Sequence, residues 1–127
     1  MNASIIYKSN VRDNVLDGLA RELPVVIAKT MEVPGGNLAR VKPVQISLGF
    51  SQANFRDVGP DIRIMVFAQN NAPRTETEND RAKAILDKVI ALITSSGEEC
   101  SVDTRLYLME IGSADHSRSI QRPGQLD

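Results

Sequence analysis

The chain has 127 residues, 42% hydrophobic and 24% charged, with 15 Lys and Arg against 16 Asp and Glu for a net charge of −1. That is the length and composition of one globular domain with a substantial core. The balance excludes the basic footprint of a nucleic-acid or anionic-membrane binder, and a single cysteine, Cys100, excludes a disulfide framework or a cysteine-ligated metal cluster.

The first predicted element is a strand over Ser4–Lys8, close behind the chain start. A helix follows from Val11, with Val15, Leu16, Leu19, Leu23, Ile27 and Met31 on one face at 3.6 residues per turn. Asn10 with Asp13 reads as its N-terminal cap, Pro24 lies inside it, and Pro34-Gly35-Gly36 is its stop signal. Strict alternation over Val44–Phe50 predicts a second strand, with Val44, Ile46, Leu48 and Phe50 on its buried face. After a loop at 51–60, Asp61–Gln69 reads as the third strand.

Thr75 and Glu78 have capping-box spacing before a second helix carrying Ala82, Ile85, Leu86, Val89, Ile90 and Ile93, with Gly97 past its end. Val102–Ile111 is the fourth strand, so residues 1–111 form one domain. Residues 112–127 read as a tail that is disordered or packs on a neighbouring subunit. The order is β-α-β, loop, β-α-β, and the fold class is α/β. Right-handed crossovers place two βαβ units in one four-stranded sheet with both helices on one face.

The opposite face carries the sharper implication. With Ile62, Ile64 and Val66 turned to the helices, Met65, Phe67, Tyr107, Met109 and Ile111 point away, beside Arg63 and Arg105. Such a face is too apolar to leave in water; loops or the tail are one cover for it, and further copies of the chain are the favoured one. Interface ion pairs are then the expected role of Arg63 and Arg105. His116, the lone histidine, lies in the polar tail and is poorly placed for a catalytic triad. Glu98 and Glu99 precede Cys100 and raise its thiol pKa, against a nucleophile. No phosphate loop is present, and neither a cofactor nor a metal is expected.

Several stretches carry a family likeness: "SNVRDNVLDGLARELPVVIAKT", "ARVKPVQISLGF", "DIRIMVFAQNNAPRTETENDRAKAILDKVIALI" and "RLYLMEIGS". In layout and spacing the chain resembles the tautomerase superfamily, and within it the 5-carboxymethyl-2-hydroxymuconate isomerase type. The resemblance implies a homotrimer, and keto–enol tautomerisation of small carboxylates with an N-terminal proline as general base. Here Asn2 stands where that proline would be, and Met1 precedes it, which counts against the inherited reaction. The implied site therefore comprises the terminus at Met1 and Asn2, with Arg74 and either Arg40 or Lys42 binding a small carboxylate. The resemblance implies a tautomerase-like protein with an anion pocket, in which isomerase activity stays open.

The same element order also suits a ferredoxin-like module binding nucleic acid or protein without catalysis, with Tyr7 and Phe67 as stacking aromatics. The near-neutral charge argues against nucleic acid. No membrane partner is expected, because no apolar run approaches the roughly 20 residues of a spanning helix. The start of the chain lacks the layout of a secretory signal, so the expected location is cytoplasmic.

Overall fold

The computed structural model describes residues 1–33 and 41–117. Four strands, β1 (Asn2–Tyr7), β2 (Ser47–Gln52), β3 (Ile62–Gln69) and β4 (Val102–Met109), form one sheet in the order β2-β1-β3-β4. Helix α1 (Asp13–Met31) links β1 to β2. A short helix α2 (Ala72–Glu76) and the longer α3 (Glu78–Ser95) link β3 to β4. Within each βαβ unit the strands are parallel neighbours, and β1 meets β3 antiparallel at the seam between units. A ferredoxin-like split βαβ would insert a strand between β1 and β2, so this strand order excludes that arrangement.

The core lies between the sheet and the helices. Ala3 and Ile5 of β1, and Ile62, Ile64, Val66 and Ala68 of β3, present buried side chains to Val15, Leu19, Leu23, Ile27 and Met31 of α1 and to Ile85, Val89 and Ile93 of α3. The i, i+4 ladder on α1 explains why that helix forms here despite Pro24. Each fully buried Leu, Ile or Val contributes about 1.5–3 kcal/mol, and the bond that proline forgoes belongs to Ala20, on the exposed side. Gly97 adopts φ +77 directly after α3, a left-handed turn at the position the sequence marks as the end of the helix.

Several expected boundaries move. Pro43–Gln45 forms a 3₁₀ turn, so β2 begins at Ser47; Val44 is 90% exposed, and only Ile46 and Leu48 of the alternating set pack onto the core. Proline at the head of the segment fixes a turn where alternation alone reads as strand. Thr75 lies inside α2 and is not the cap of α3; Asn71 caps α2 by accepting from the Arg74 N–H at 3.0 Å. Arg12 precedes α1 without a side-chain cap, and Asn10 donates instead to Asp61 Oδ1 at 3.3 Å. Ile90 is 46% exposed, off the buried stripe. The Pro34-Gly35-Gly36 stop and the tail beyond residue 117 lie outside the described residues.

Register resolves the second face of the sheet. Asn2, Phe67 and Tyr107 share a row with Ser47; Ser4, Met65 and Arg105 share the next with Gly49. Phe67 and Tyr107 stack there with ring centroids 5.1 Å apart. The face is therefore apolar along β3 and β4 and small and polar along β2. Tyr7 pairs with buried Ile62 and packs toward the core, so it lies on the opposite side of the sheet from Phe67. The aromatic platform of a nucleic-acid module is not formed.

At one end of the sheet Asp61 joins three elements. Its carboxylate accepts from the Ser101 N–H at 2.9 Å and from Asn10, while its own N–H donates to Ser101 Oγ at 2.9 Å. The Ser101 N–H above all holds the carboxyl below its ordinary value of 3.8; Asn10 and Lys8 act in the same direction, against a smaller upward push from burial. A depressed carboxyl contributes stability that is present above 3.8 and is lost as pH falls below it. Asp61→Asn should therefore lower the urea midpoint at neutral pH, with the gap to wild type closing as pH falls below 3.8. A gap that stays constant with pH would remove Asp61 from the acid response.

Candidate functional site

The site expected from the sequence lies at the other end of the sheet. Met1 extends β1 by one residue, and its carbonyl accepts from the Ser47 N–H at 3.0 Å. Because Asn2 pairs with Ser47 on one side and with Phe67 on the other, the terminus sits beside the start of β2 and the C-terminal end of β3. The sheet thus holds the terminus on both flanks, and the Met1 side chain packs against the core. Lys42 is exposed just before β2, its N–H bonded to Gln45 Oε1 at 2.9 Å. Arg74 follows β3 by five residues. Met1, Asn2, Lys42 and Arg74 therefore converge on one end of the sheet, while Arg40 lies outside the described residues.

Arg74 is neither a solvated loop cation nor a partner of Glu76 or Glu78. It is 6% exposed, and three of its N–H groups point at main-chain carbonyls: Nη1 at Gln69 O, 3.0 Å away, and Nε and Nη2 at Met31 O, each 3.2 Å away. Gln69 ends β3 and Met31 ends α1, so one guanidinium ties the two βαβ units together. Burial pushes its pKa down, and the positive charge of Arg81 adds to that push.

Arg81 completes the arrangement, and it was not singled out in the sequence. Its Nη1 donates to Thr30 O at 2.6 Å and to Glu32 O at 3.1 Å, and its Nε donates to Thr77 Oγ1 at 2.7 Å. The last carbonyls of a helix have no partner within the helix and carry its negative dipole end, so two arginines there satisfy both needs. No sequence signal marks it, because its carbonyl partners at Thr30 and Glu32 are 51 and 49 residues away and Arg74 and Arg81 lie in separate helices.

Asn70 and Asn71 shape the approach to this cluster. The Asn70 N–H donates to Met109 O at 2.9 Å, and the Thr75 hydroxyl donates to Asn70 Oδ1 and to Asn71 O. The end of β3 and the start of α2 are therefore locked together.

The other candidates lie elsewhere. Arg63 pairs with Asp57 at 2.7 Å and Arg105 with Asp103 at 3.0 Å, both within the chain. His116 lies on exposed chain, where the neighbouring Ser117 hydroxyl donates to Asp115 at 3.1 Å. Burial first, then Asp61 and Glu98, push the Cys100 thiol up. Among the described residues no group of three or more His, Cys, Asp or Glu could hold a metal ion, and no helix is long and apolar enough to cross a membrane.

Known proteins relate to the chain through structure rather than sequence. No protein-family model matches it, and neither does any curated protein. Among solved structures it is similar to a fused 4-OT that forms a symmetric trimer, with a TM-score of 0.59 and 13% identity over 94% of this chain and 92% of that one. It is also similar to a member of the cis-3-chloroacrylic acid dehalogenase family, with a TM-score of 0.63 and 12% identity over 98% of this chain and 86% of that one. A third is MIF2 of Leishmania major, with a TM-score of 0.57 and 14% identity over 90% and 92%. The chain has the tautomerase fold, a four-stranded α/β subunit of the kind found in these proteins.

The arginine clamp gives a stability prediction. Arg74→Ala leaves Met31 O and Gln69 O without their donor, and an unsatisfied buried acceptor costs about 1–3 kcal/mol. The expected loss is roughly 2–5 kcal/mol in urea unfolding, and Arg74→Lys should recover only part of it because an ammonium cannot bridge both carbonyls in the same plane. A loss within the roughly ±0.5 kcal/mol of ordinary surface substitutions would show that the clamp does not hold the two units together.

Proposed function

We propose that this chain is a divergent tautomerase-like protein, akin to the 5-carboxymethyl-2-hydroxymuconate isomerase type, that assembles as a homotrimer. It binds a small carboxylate at the end of the sheet where its terminus lies. The observation supporting the pocket is the convergence of the Met1 amine, exposed Lys42 and buried Arg74 on one end of the sheet. No Asp or Glu takes part in the hydrogen bonds given above for Met1, Lys42 and Arg74. The division of labour follows from burial. Arg74 has three donors committed to carbonyls and supplies positive charge from beneath, while Lys42 and the terminal amine supply the donors that reach a ligand. Arg40, the alternative to Lys42 in the resemblance, lies outside the described residues.

The trimer reading is supported by the apolar β3–β4 face with its stacked Phe67 and Tyr107, and by trimeric relatives of the same fold. Keto–enol isomerisation is disfavoured. The reaction needs a base at the terminus to take a proton from one atom of the substrate and return it to another. Here that position carries the primary amine of Met1 ahead of Asn2, where the resemblance calls for a secondary amine of proline. Binding without turnover is the function this terminus fits.

Two measurements test the reading. Calorimetric titration with a small 2-oxo dicarboxylate should give saturable binding that Lys42→Ala weakens about tenfold or more, in keeping with the 1.5–3 kcal/mol of a hydrogen bond to a charged group. Unchanged affinity would take Lys42 out of the site. Asn2→Pro, from which the leading methionine is trimmed, places a secondary amine in the pocket. It should raise the rate of enol-carboxylate ketonisation at least about a hundredfold, the low side of general-base contributions. No gain would mean that the pocket is not the remnant of a tautomerase site.

A further inference from the structure

A lysine reaches a ligand only from where its main chain is held. Its ammonium is a point charge on a flexible four-carbon stem, so the place of its Cα decides what it can touch. For Lys42 part of that placement comes from Pro43. A proline closes off the helical region for the residue before it, and Lys42 is extended at φ −101 and ψ 144. The rest comes from Gln45. Its side-chain Oε1 accepts from the Lys42 N–H at 2.9 Å, and its own N–H donates to Lys42 O, also at 2.9 Å. The two residues thus exchange a pair of hydrogen bonds across the 3₁₀ turn.

The far side of the turn is anchored. The Ile46 N–H donates to Pro43 O at 3.1 Å, and the Ile46 side chain is buried in the core. The Ser47 N–H then bonds to Met1 O, where the β1–β2 pairing begins. Contacts therefore run outward from Ile46 through Gln45 to Lys42. Among the described residues, no other hydrogen bond holds the Lys42 main chain, and the Gln45 side chain has no other hydrogen-bond partner. Gln45 is exposed and contributes nothing to the core, so its side chain has one structural task, the Lys42 amide.

We infer that Gln45 is a positioning residue for Lys42: through the Lys42 amide it sets where the ammonium stands at the end of the sheet. The inference rests on the carboxylate reading given above and adds to it the residue that orders its exposed donor. The role needs an acceptor at the reach of glutamine. Asparagine is one methylene short and alanine has no acceptor, so either frees the Lys42 end of the turn while Pro43 and Ile46 stay in place. A cation that is not held beforehand must be ordered on binding, which weakens the affinity.

A double-mutant cycle on the full chain tests this, read by calorimetric titration with 2-oxoglutarate as the probe. The bond runs to the Lys42 main chain, so Lys42→Ala keeps it and removes only the ammonium. Gln45→Ala should weaken binding about threefold or more in the wild-type background, and should leave the weaker affinity of Lys42→Ala unchanged. Gln45→Asn should behave as Gln45→Ala does. Exchange of the Lys42 amide hydrogen should also speed up in both Gln45 variants. Equal losses in the two backgrounds would mean that Gln45 acts directly or through the fold, which overturns the inference and leaves the site standing. No loss in either background overturns it in the same way. A wild type that shows no saturable binding overturns the carboxylate site and the positioning role together.

Discussion

The structure depends on how the negative end of α1 is satisfied. A long helix finishes with carbonyls that have no partner in the helix, and here they meet side chains from the second half of the chain. Arg74 and Arg81 meet them with five hydrogen bonds to Thr30, Met31, Glu32 and Gln69. Burial, and then the positive charge of Arg81, push against the charged form of Arg74. The arrangement holds because each guanidinium faces several carbonyl oxygens and the dipole end of the helix at once. The core between sheet and helices supplies most of the stability, but core packing is not directional. The arginines determine how one βαβ unit meets the other at the end where the terminus emerges.

That constraint has a functional consequence. The two arginines close the end of the sheet where the terminus lies. The terminus is delivered there by hydrogen bonds on both of its flanks, through Ser47 to β2 and through the Asn2–Phe67 pairing to β3. The carboxylate site proposed above rests on this placement of the terminus at the same end of the sheet as Arg74. The opposite end of the sheet is organised differently. Asp61 and Ser101 exchange hydrogen bonds there, and the charge is matched locally. The two ends thus divide between a cluster built on a carboxylate and one built on arginines bonded to main-chain carbonyls.

Much of this could be read from the residues, for identifiable reasons. The α1 stripe from Val15 to Met31 and the inward alternation of Ile62, Ile64 and Val66 are set by burial, which leaves a strong periodic trace. The outward row of Met65, Phe67 and Tyr107 was legible by the same alternation, and so was the end of α3 at Gly97. Val44 misled because alternation cannot distinguish a strand from a turn that precedes it, whereas Pro43 could have. Tyr7 and Phe67 looked like one platform because their faces depend on register, which a linear pattern does not contain. In the candidate site, Arg74 could be located from the sequence, but its commitment to carbonyls could not. Its partners Met31 and Gln69 are 43 and 5 residues away, and backbone oxygens carry no sequence signal. Arg81 was missed for the same reason.

The central claim is that this end of the sheet is a carboxylate site, and backbone NMR tests it most directly. Adding a small 2-oxo dicarboxylate to the isotope-labelled chain should shift the amide signals of Asn2, Lys42 and residues 69–74 along saturable curves, leaving Asn10, Asp61 and Ser101 at the far end unmoved. Shifts confined to that far end, or none at millimolar ligand, would contradict the account.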